Sequence, residues 1–190
     1  MISEGIVTTI NADGSVNISP MGPEVDASGE RLVLKPYRTS TTYLNLKRTG
    51  QGVFHVTDDV ELLAQAAIGM PQPRPPLVPA EKVEGQILTG ACRWYAFRVT
   101  SLDDAQDRTR IEVEVVDQGR LRDFFGFNRA KHAVIEAAIL ATRVAFLPAD
   151  EILREFERLA VPIAKTGGPA EHRAFALLKA HVEAAARAGA

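Results

Sequence analysis

A change of hydrophobic period near residue 125 constrains this chain more than any other feature. Up to that point apolar side chains recur at every second position or in short β-branched runs. Beyond Phe124-Phe125-Gly126-Phe127 they recur at steps of three and four in segments rich in Ala, Leu and Glu. A period of two marks a pleated strand and a period near 3.6 marks an amphipathic helix, so one chain must build both. The spacing predicts a β-rich domain over residues 1–125. A helical C-terminal region over residues 126–190 then packs on that body or on a second chain.

Within the first part, Gly5 to Ile10 is a β-branched run, Asn11-Ala12-Asp13-Gly14 is a turn cluster, and Ser15 to Ser19 alternates Val16 and Ile18 with polar neighbours. That pattern predicts a hairpin. Pro20, Gly22 and Pro23 break the ladder, and Arg31 to Lys35 reads as a short buried strand. Thr39-Ser40-Thr41-Thr42 stands ahead of Tyr43, Leu44 and Leu46, with Lys47 and Arg48 in the last turn and Gly50 beyond, which marks both ends of a helix. Gly52 to Thr57 reads as a strand, and Asp58 with Glu61 as a capping box opening a helix through Ala67. Five of the nine residues from Pro71 to Pro79 are proline, so that stretch is a surface connection and not a central strand. Further strands are predicted over residues 90–100 and 110–117, and helices over 129–146, 150–160 and 169–187.

Composition narrows the function classes. Of 190 residues, 46% are hydrophobic and 24% charged, enough for a packed core and unlike a disordered, collagen-like or rod-forming chain. Lys and Arg number 22 against 24 Asp and Glu, a net charge of −2, which removes the basic excess that a nucleic-acid partner calls for. Met1-Ile2-Ser3-Glu4 is not a basic segment leading into an apolar run. No stretch approaches the roughly 18 apolar residues of a membrane span, so neither an export signal nor a membrane partner is expected. With one cysteine, Cys92, no intrachain disulfide can form, and the expected location is cytoplasmic.

The chemistry-bearing segment is Leu34-Lys35-Pro36-Tyr37-Arg38-Thr39-Ser40-Thr41-Thr42, where a strand hands over to a helix. Unpaired N–H groups at a helix start, the positive end of its dipole, several hydroxyls and an arginine fork together suit a phosphate monoester. One hydroxyl is accounted for as a helix cap, and four exceed that need. A second segment, Val16-Asn17-Ile18-Ser19-Pro20-Met21-Gly22-Pro23, ends a strand in residues that leave backbone groups unpaired. It reads either as an edge strand entering a loop or as a contact for a flat heteroaromatic ligand.

These segments, together with Ile6-Val7-Thr8-Thr9-Ile10-Asn11, Gly52-Val53-Phe54-His55-Val56-Thr57-Asp58-Asp59, Cys92-Arg93-Trp94-Tyr95 and Gly126-Phe127-Asn128-Arg129-Ala130-Lys131-His132, resemble the DUF447 family. That family belongs to the FMN-binding split-barrel superfamily, with the flavin reductase-like and flavoredoxin-like proteins, and the resemblance covers nearly the whole chain. It implies a six-stranded antiparallel split β-barrel followed by helices, and a homodimer with FMN near the subunit interface. Carried over by position, it puts the FMN phosphate at Arg38, Thr39, Ser40 and Thr41, with Thr42 as a further candidate. Ser19, Pro20 and Met21 then lie along the isoalloxazine edge, and Lys35, Pro36 and Tyr37 flank the cofactor.

The implied function is that of an FMN-dependent oxidoreductase passing hydride or electrons to an acceptor that the residues do not name, with NAD(P)H as a possible donor. A non-catalytic FMN carrier or flavin-dependent interaction protein needs the same phosphate site, and a barrel scaffold needs none. His55, His132, His172 and His181 lack metal-ligand spacing, so no metal is expected. His55 reads as a packed strand residue, Cys92 as a small buried one, and Trp94 and Tyr95 as packing. No dinucleotide, P-loop or hydrolase motif is present.

Overall fold

The alternating runs of the first half pair into one curled antiparallel sheet, and the three- and four-step segments form helices. This computed structural model describes residues 1–188. Two units result, one of residues 1–57 and 75–124, the other of residues 58–74 and 125 onward.

The sheet unit contains β1 (Gly5–Ile10), β2 (Val16–Met21), β3 (Glu24–Val25), β4 (Arg31–Leu34), α1 (Thr41–Thr49), β5 (Gln51–Val56), β6 (Leu77–Pro79), β7 (Gln86–Leu88), β8 (Arg93–Asp103) and β9 (Arg110–Arg120). Seven strands run in the order β2-β1-β5-β8-β9-β4-β3, and β6 with β7 makes a separate two-stranded ribbon. The fold class is the expected one, but the strand count is seven and not six. The extra strand arises because Gly22 and Pro23 interrupt what would otherwise run from β2 into β3, proline having no N–H for a ladder. The start of the chain links the sheet's two ends: the Ser3 N–H donates to the Pro23 carbonyl at 3.0 Å and the Val25 N–H to the Met1 carbonyl at 2.7 Å. Register shifts at Ala96/Phe97 and Val99/Ser101 bend the long β8–β9 pair, as bulges do.

All six residues of β1 are buried. Val7 joins Leu32, Leu34, Tyr43, Leu46, Phe54, Phe97, Ile111 and Val113 in the main core, whereas Val53 and Ala96 pack with Val83 and Ile87 under the ribbon. Burying each large aliphatic or aromatic side chain stabilises the fold by about 1.5–3 kcal/mol. The proline-rich connection thus ends in β6, which pairs with β7 to cover the sheet's second face.

The helical unit contains α2 (Val60–Ala67), α3 (Arg129–Ala141), α4 (Ala149–Thr166) and α5 (Pro169–Ala188). Five buried alanines of α3, Ala130, Ala133, Ala137, Ala138 and Ala141, let its neighbours approach closely, and Phe156 of α4 meets Phe175 of α5 with ring centroids 5.2 Å apart. Three boundaries differ from expectation. Asp59, not Asp58, caps α2, its side chain accepting from the Leu62 N–H at 3.0 Å, while Asp58 Oδ2 accepts from the Phe125 N–H at 3.2 Å. The helix expected to reach Phe146 stops at Ala141, where the Thr142 hydroxyl bonds back to the Ile139 carbonyl at 2.7 Å and Pro148 bars continuation. Conversely α4 runs past Ala160 through Pro162 to Thr166, because buried Phe156 and Ile163 on either side outweigh one missing N–H bond.

Candidate functional site

The chain leaves β4 at Leu34, crosses Lys35 to Thr39 and enters α1 through Ser40. Ser40 is the helix cap: its backbone is extended (φ −78°, ψ 145°) and its side-chain oxygen accepts from the Tyr43 N–H at 3.2 Å. The Ser40 N–H in turn donates to the Tyr37 carbonyl at 2.9 Å, closing a turn around Arg38 and Thr39. Gly50 ends the helix in the left-handed conformation, φ 65°. The N–H groups of Thr41 and Thr42 in the first turn have no partner among the described residues. They point out of the helix start with its partial positive charge.

The hydroxyl run divides by orientation. Arg38, Thr39 and Thr41 are exposed, Ser40 is half-buried, and Thr42 turns inward, only 2% exposed. The Thr42 Oγ1 accepts from Asn17 Nδ2 on β2 at 3.1 Å, and the same amide reaches Thr9 Oγ1 at 3.2 Å. Asn45, one helical turn later, donates to Thr9 Oγ1 at 3.0 Å and to Asn11 Oδ1 at 2.8 Å. A neutral hydrogen-bond network therefore pins the underside of α1 to β1 and β2.

A second tether comes from the tip of the β8–β9 hairpin. Asp104 Oδ2 accepts from the Tyr43 hydroxyl at 2.6 Å and from Lys47 Nζ at 2.7 Å. These two donors, with the positive charge of Arg38 nearby, hold the Asp104 carboxyl down to about 2 and raise the Lys47 ammonium. Asp107 accepts the Arg38 N–H on its carbonyl at 2.9 Å, and Thr109 donates to the Pro36 carbonyl through both N–H and hydroxyl, at 3.0 and 2.8 Å. Arg108 reaches the Lys35 carbonyl with Nε at 3.2 Å and lies over the Tyr37 ring, 5.4 Å from its centroid. Sequence reasoning missed this hairpin tip. Its only signal is a polar stretch carrying Arg108 between two strands, and nothing local shows that it meets residues some 70 positions earlier.

The remaining candidates lie around the same strand-to-helix passage. Ser19, Pro20 and Met21 are half-buried on β2, which pairs on one side with β1 opposite Val7, Ile6 and Gly5. Lys35 forms an ion pair with Glu24 of β3, which lowers the Glu24 carboxyl. Pro36 is buried and Tyr37 is 54% exposed. Lys35 to Thr41 thus form one continuous rim, and β2 is joined to it through the Asn17–Thr42 bond.

His55 is structural. Its side chain is fully buried, and because the Leu88 N–H can only donate, Nε2 is the acceptor of that 3.0 Å bond and Nδ1 carries the proton given to the Ile6 carbonyl at 3.1 Å. Burial holds this imidazole neutral, down to about 4. Cys92 is buried. His132 is exposed on α3, edge-on to Phe127 at 5.9 Å between ring centroids. Among the described residues no three His, Cys, Asp or Glu side chains form a metal-ligating group, and no helix is long and apolar enough to cross a membrane.

The model of the DUF447 N-terminal domain matches residues 3–122, and a second DUF447 model, whose family is described as of unknown function, matches residues 128–180. The chain belongs to the DUF447 family. No curated protein matches it in sequence. Among solved structures, an FMN-bound DUF447 protein from Methanosarcina mazei is 22% identical with a TM-score of 0.82, covering 95% of this chain and 94% of that one. The styrene monooxygenase flavin reductase of Pseudomonas putida S12 is 13% identical with a TM-score of 0.52, over 63% of this chain and 79% of that one. An NADH:FAD oxidoreductase of Streptomyces globisporus C-1027 is 12% identical with a TM-score of 0.53, over 63% and 70%. The DUF447 chain shares the split-barrel fold with all three, with its helical part included in the first.

Proposed function

We propose that this DUF447 chain binds FMN, with the phosphate at the head of α1, and acts as an oxidoreductase. The observation that carries the reading is the convergence of the exposed Arg38, Thr39 and Thr41 on a helix start whose first N–H groups are free. That donor set fits a phosphate monoester: a guanidinium fork, two hydroxyls, two backbone donors and a helix dipole. The FMN-bound relative from Methanosarcina mazei, which this chain matches over 95% of its length, supports the choice of ligand. Bound FMN would supply the hydride or electron transfer itself.

The protein's own residues then have binding and orienting roles. Arg38, Thr39, Thr41 and the capping Ser40 hold the phosphate end. Lys35, Pro36 and Tyr37 line the passage beside it, and Ser19, Pro20 and Met21 offer backbone groups to the ring edge. Thr42 acts from below, through Asn17. The reading places the flavin on a barrel domain of residues 1–125, followed in the chain by a helical region of residues 126–190, near a homodimer interface and in the cytoplasm. NAD(P)H as donor is supported by the likeness to the NADH:FAD oxidoreductase fold.

The test begins with freshly purified full-length protein: ligand released on denaturation is identified by mass, and apoprotein is titrated with FMN and riboflavin. Arg38→Ala is expected to weaken FMN by about tenfold or more, the worth of a charge-assisted hydrogen bond, and riboflavin far less. Equal loss for both ligands overturns the phosphate assignment. Repeated reduction and reoxidation with NADH or NADPH supports the oxidoreductase, whereas tight FMN binding without donor-driven reduction makes the protein a flavin carrier instead.

A further inference from the structure

We propose that Arg108, at the tip of the β8–β9 hairpin, is a second guanidinium of the phosphate subsite, so that the site grips its dianion between two cations. The proposal rests on the phosphate reading of α1 and extends it to a residue that neither the hydroxyl run nor the strand end contains.

Three considerations support this role for Arg108. First, it is held in position on the segment that leads into α1. Its backbone bridges Tyr37, its Nε donates to the Lys35 carbonyl at 3.2 Å, and its guanidinium lies over the Tyr37 ring at 5.4 Å. The flanking Asp107 and Thr109 bond Arg38 and Pro36 of the same segment, so the hairpin tip and the phosphate turn form one piece. An arginine stacked and anchored through Nε has already lost much of its rotamer freedom, so less is lost when a ligand binds.

Second, the outer edge of the fork is free. Among the described residues neither terminal nitrogen of Arg108 has a hydrogen-bond partner and no carboxylate lies within ion-pair distance of it. Two positions along, Arg110 is taken by Glu112 at 3.0 Å and Glu24 at 3.9 Å. Asp104, the acidic group of the tip that feels the charge of Arg38, is occupied by Lys47 and the Tyr43 hydroxyl. Third, the charges leave room for it when the phosphate is fully ionised. A phosphate monoester carries about −1.5 to −2 at neutral pH, whereas one arginine and a helix N-terminus supply roughly +1.5. A second guanidinium covers the remainder.

Full-length apoprotein is titrated with FMN and with riboflavin by flavin fluorescence, for the wild type, Arg108→Gln, Arg108→Lys and Arg38→Ala. Because Arg108 is exposed, Arg108→Gln is expected to keep the fold, which Trp94 fluorescence checks. The expected result for Arg108→Gln is about tenfold weaker FMN binding with riboflavin changed less than about twofold, and a shallower salt dependence for FMN. Arg108→Lys, which keeps the charge but not the fork, is expected to fall between. If Arg38→Ala lowers the FMN preference and Arg108→Gln does not, the role of Arg108 is overturned and the phosphate reading stands. Equal weakening of both flavins by Arg108→Gln also overturns it. A wild type that binds neither flavin, or both alike, removes the phosphate reading and this proposal together.

Discussion

Thr9, Asn45 and His55 in the sheet unit, and Lys131 and Glu171 in the helical unit, are polar side chains taken largely out of water, yet they are satisfied in opposite ways. In the sheet unit the partners are neutral: amides, hydroxyls and carbonyls beneath α1, and an uncharged imidazole between β1 and β7. In the helical unit they are ionic. Lys131 Nζ donates to Glu171 Oε1 at 2.8 Å and to the Asp58 carbonyl at 2.7 Å, and Glu171 Oε2 accepts from the Gly168 N–H at 2.8 Å. Arg173 forks onto Glu61 at 2.7 and 2.6 Å. Neutral bonds under α1 add no field of their own, and among the described residues neither Arg38 nor Arg108 is drawn into an ion pair. The helices, with no anion site proposed among them, use their cations on one another.

The contrast yields measurements that would break or refine it. The largest effect is expected from Lys131→Met, which strands a Glu171 only 7% exposed; removing one partner of such a pair costs about 3 kcal/mol. Burial raises the Glu171 carboxyl, but the Lys131 bond and the Gly168 N–H outweigh it and leave it net lowered. Chemical denaturation followed by far-ultraviolet dichroism checks this loss, and an unchanged midpoint would sink the ionic account of the helical unit.

Acid is expected to weaken the sheet unit. His55 is held down to about 4 against an unfolded value near 6.5, so the unfolded chain binds the extra proton. Its contribution is complete above pH 6.5 and is lost as pH falls from 6.5 towards 4, on the order of 3 kcal/mol. Trp94, the chain's single tryptophan and a residue of β8, reports on the sheet unit. Its unfolding midpoint should fall steeply over that window, and His55→Leu should flatten the fall. The smallest effect is expected from Arg173→Ala: a modest drop in thermal midpoint that fades in about 1 M salt, where the screening length is about 3 Å.

None of these buried pairings was visible in the sequence, although the elements that carry them were, and particular residues show where visibility ended. Ser40 and Gly50 were legible as helix ends because a cap and a left-handed terminus depend on one residue each and its nearest neighbours. The strand-to-helix passage from Lys35 to Thr41, where the phosphate is proposed to bind, was marked out locally for the same reason. That Thr42 faces Asn17 while Thr41 faces outward was not, because the inward face of α1 is chosen by β1 and β2. The capping role fell to Asp59 and not Asp58 once Asp58 was engaged by the Phe125 N–H, a residue 67 positions away. Pro162 reads locally as a helix stop, and only the burial of Phe156 and Ile163 explains its passage.

Hydrophobic period, turn residues and helix caps, all set within a few bonds, were enough to determine a strand-rich first part, a helical second part and the capped turn at the start of α1. Tertiary structure alone decided the curl of the sheet through Met1 to Ser3, the tautomer of His55 and the meeting of Arg108 with Tyr37. Each of those depends on strand register, and register is settled only when distant segments bury their apolar faces against one another.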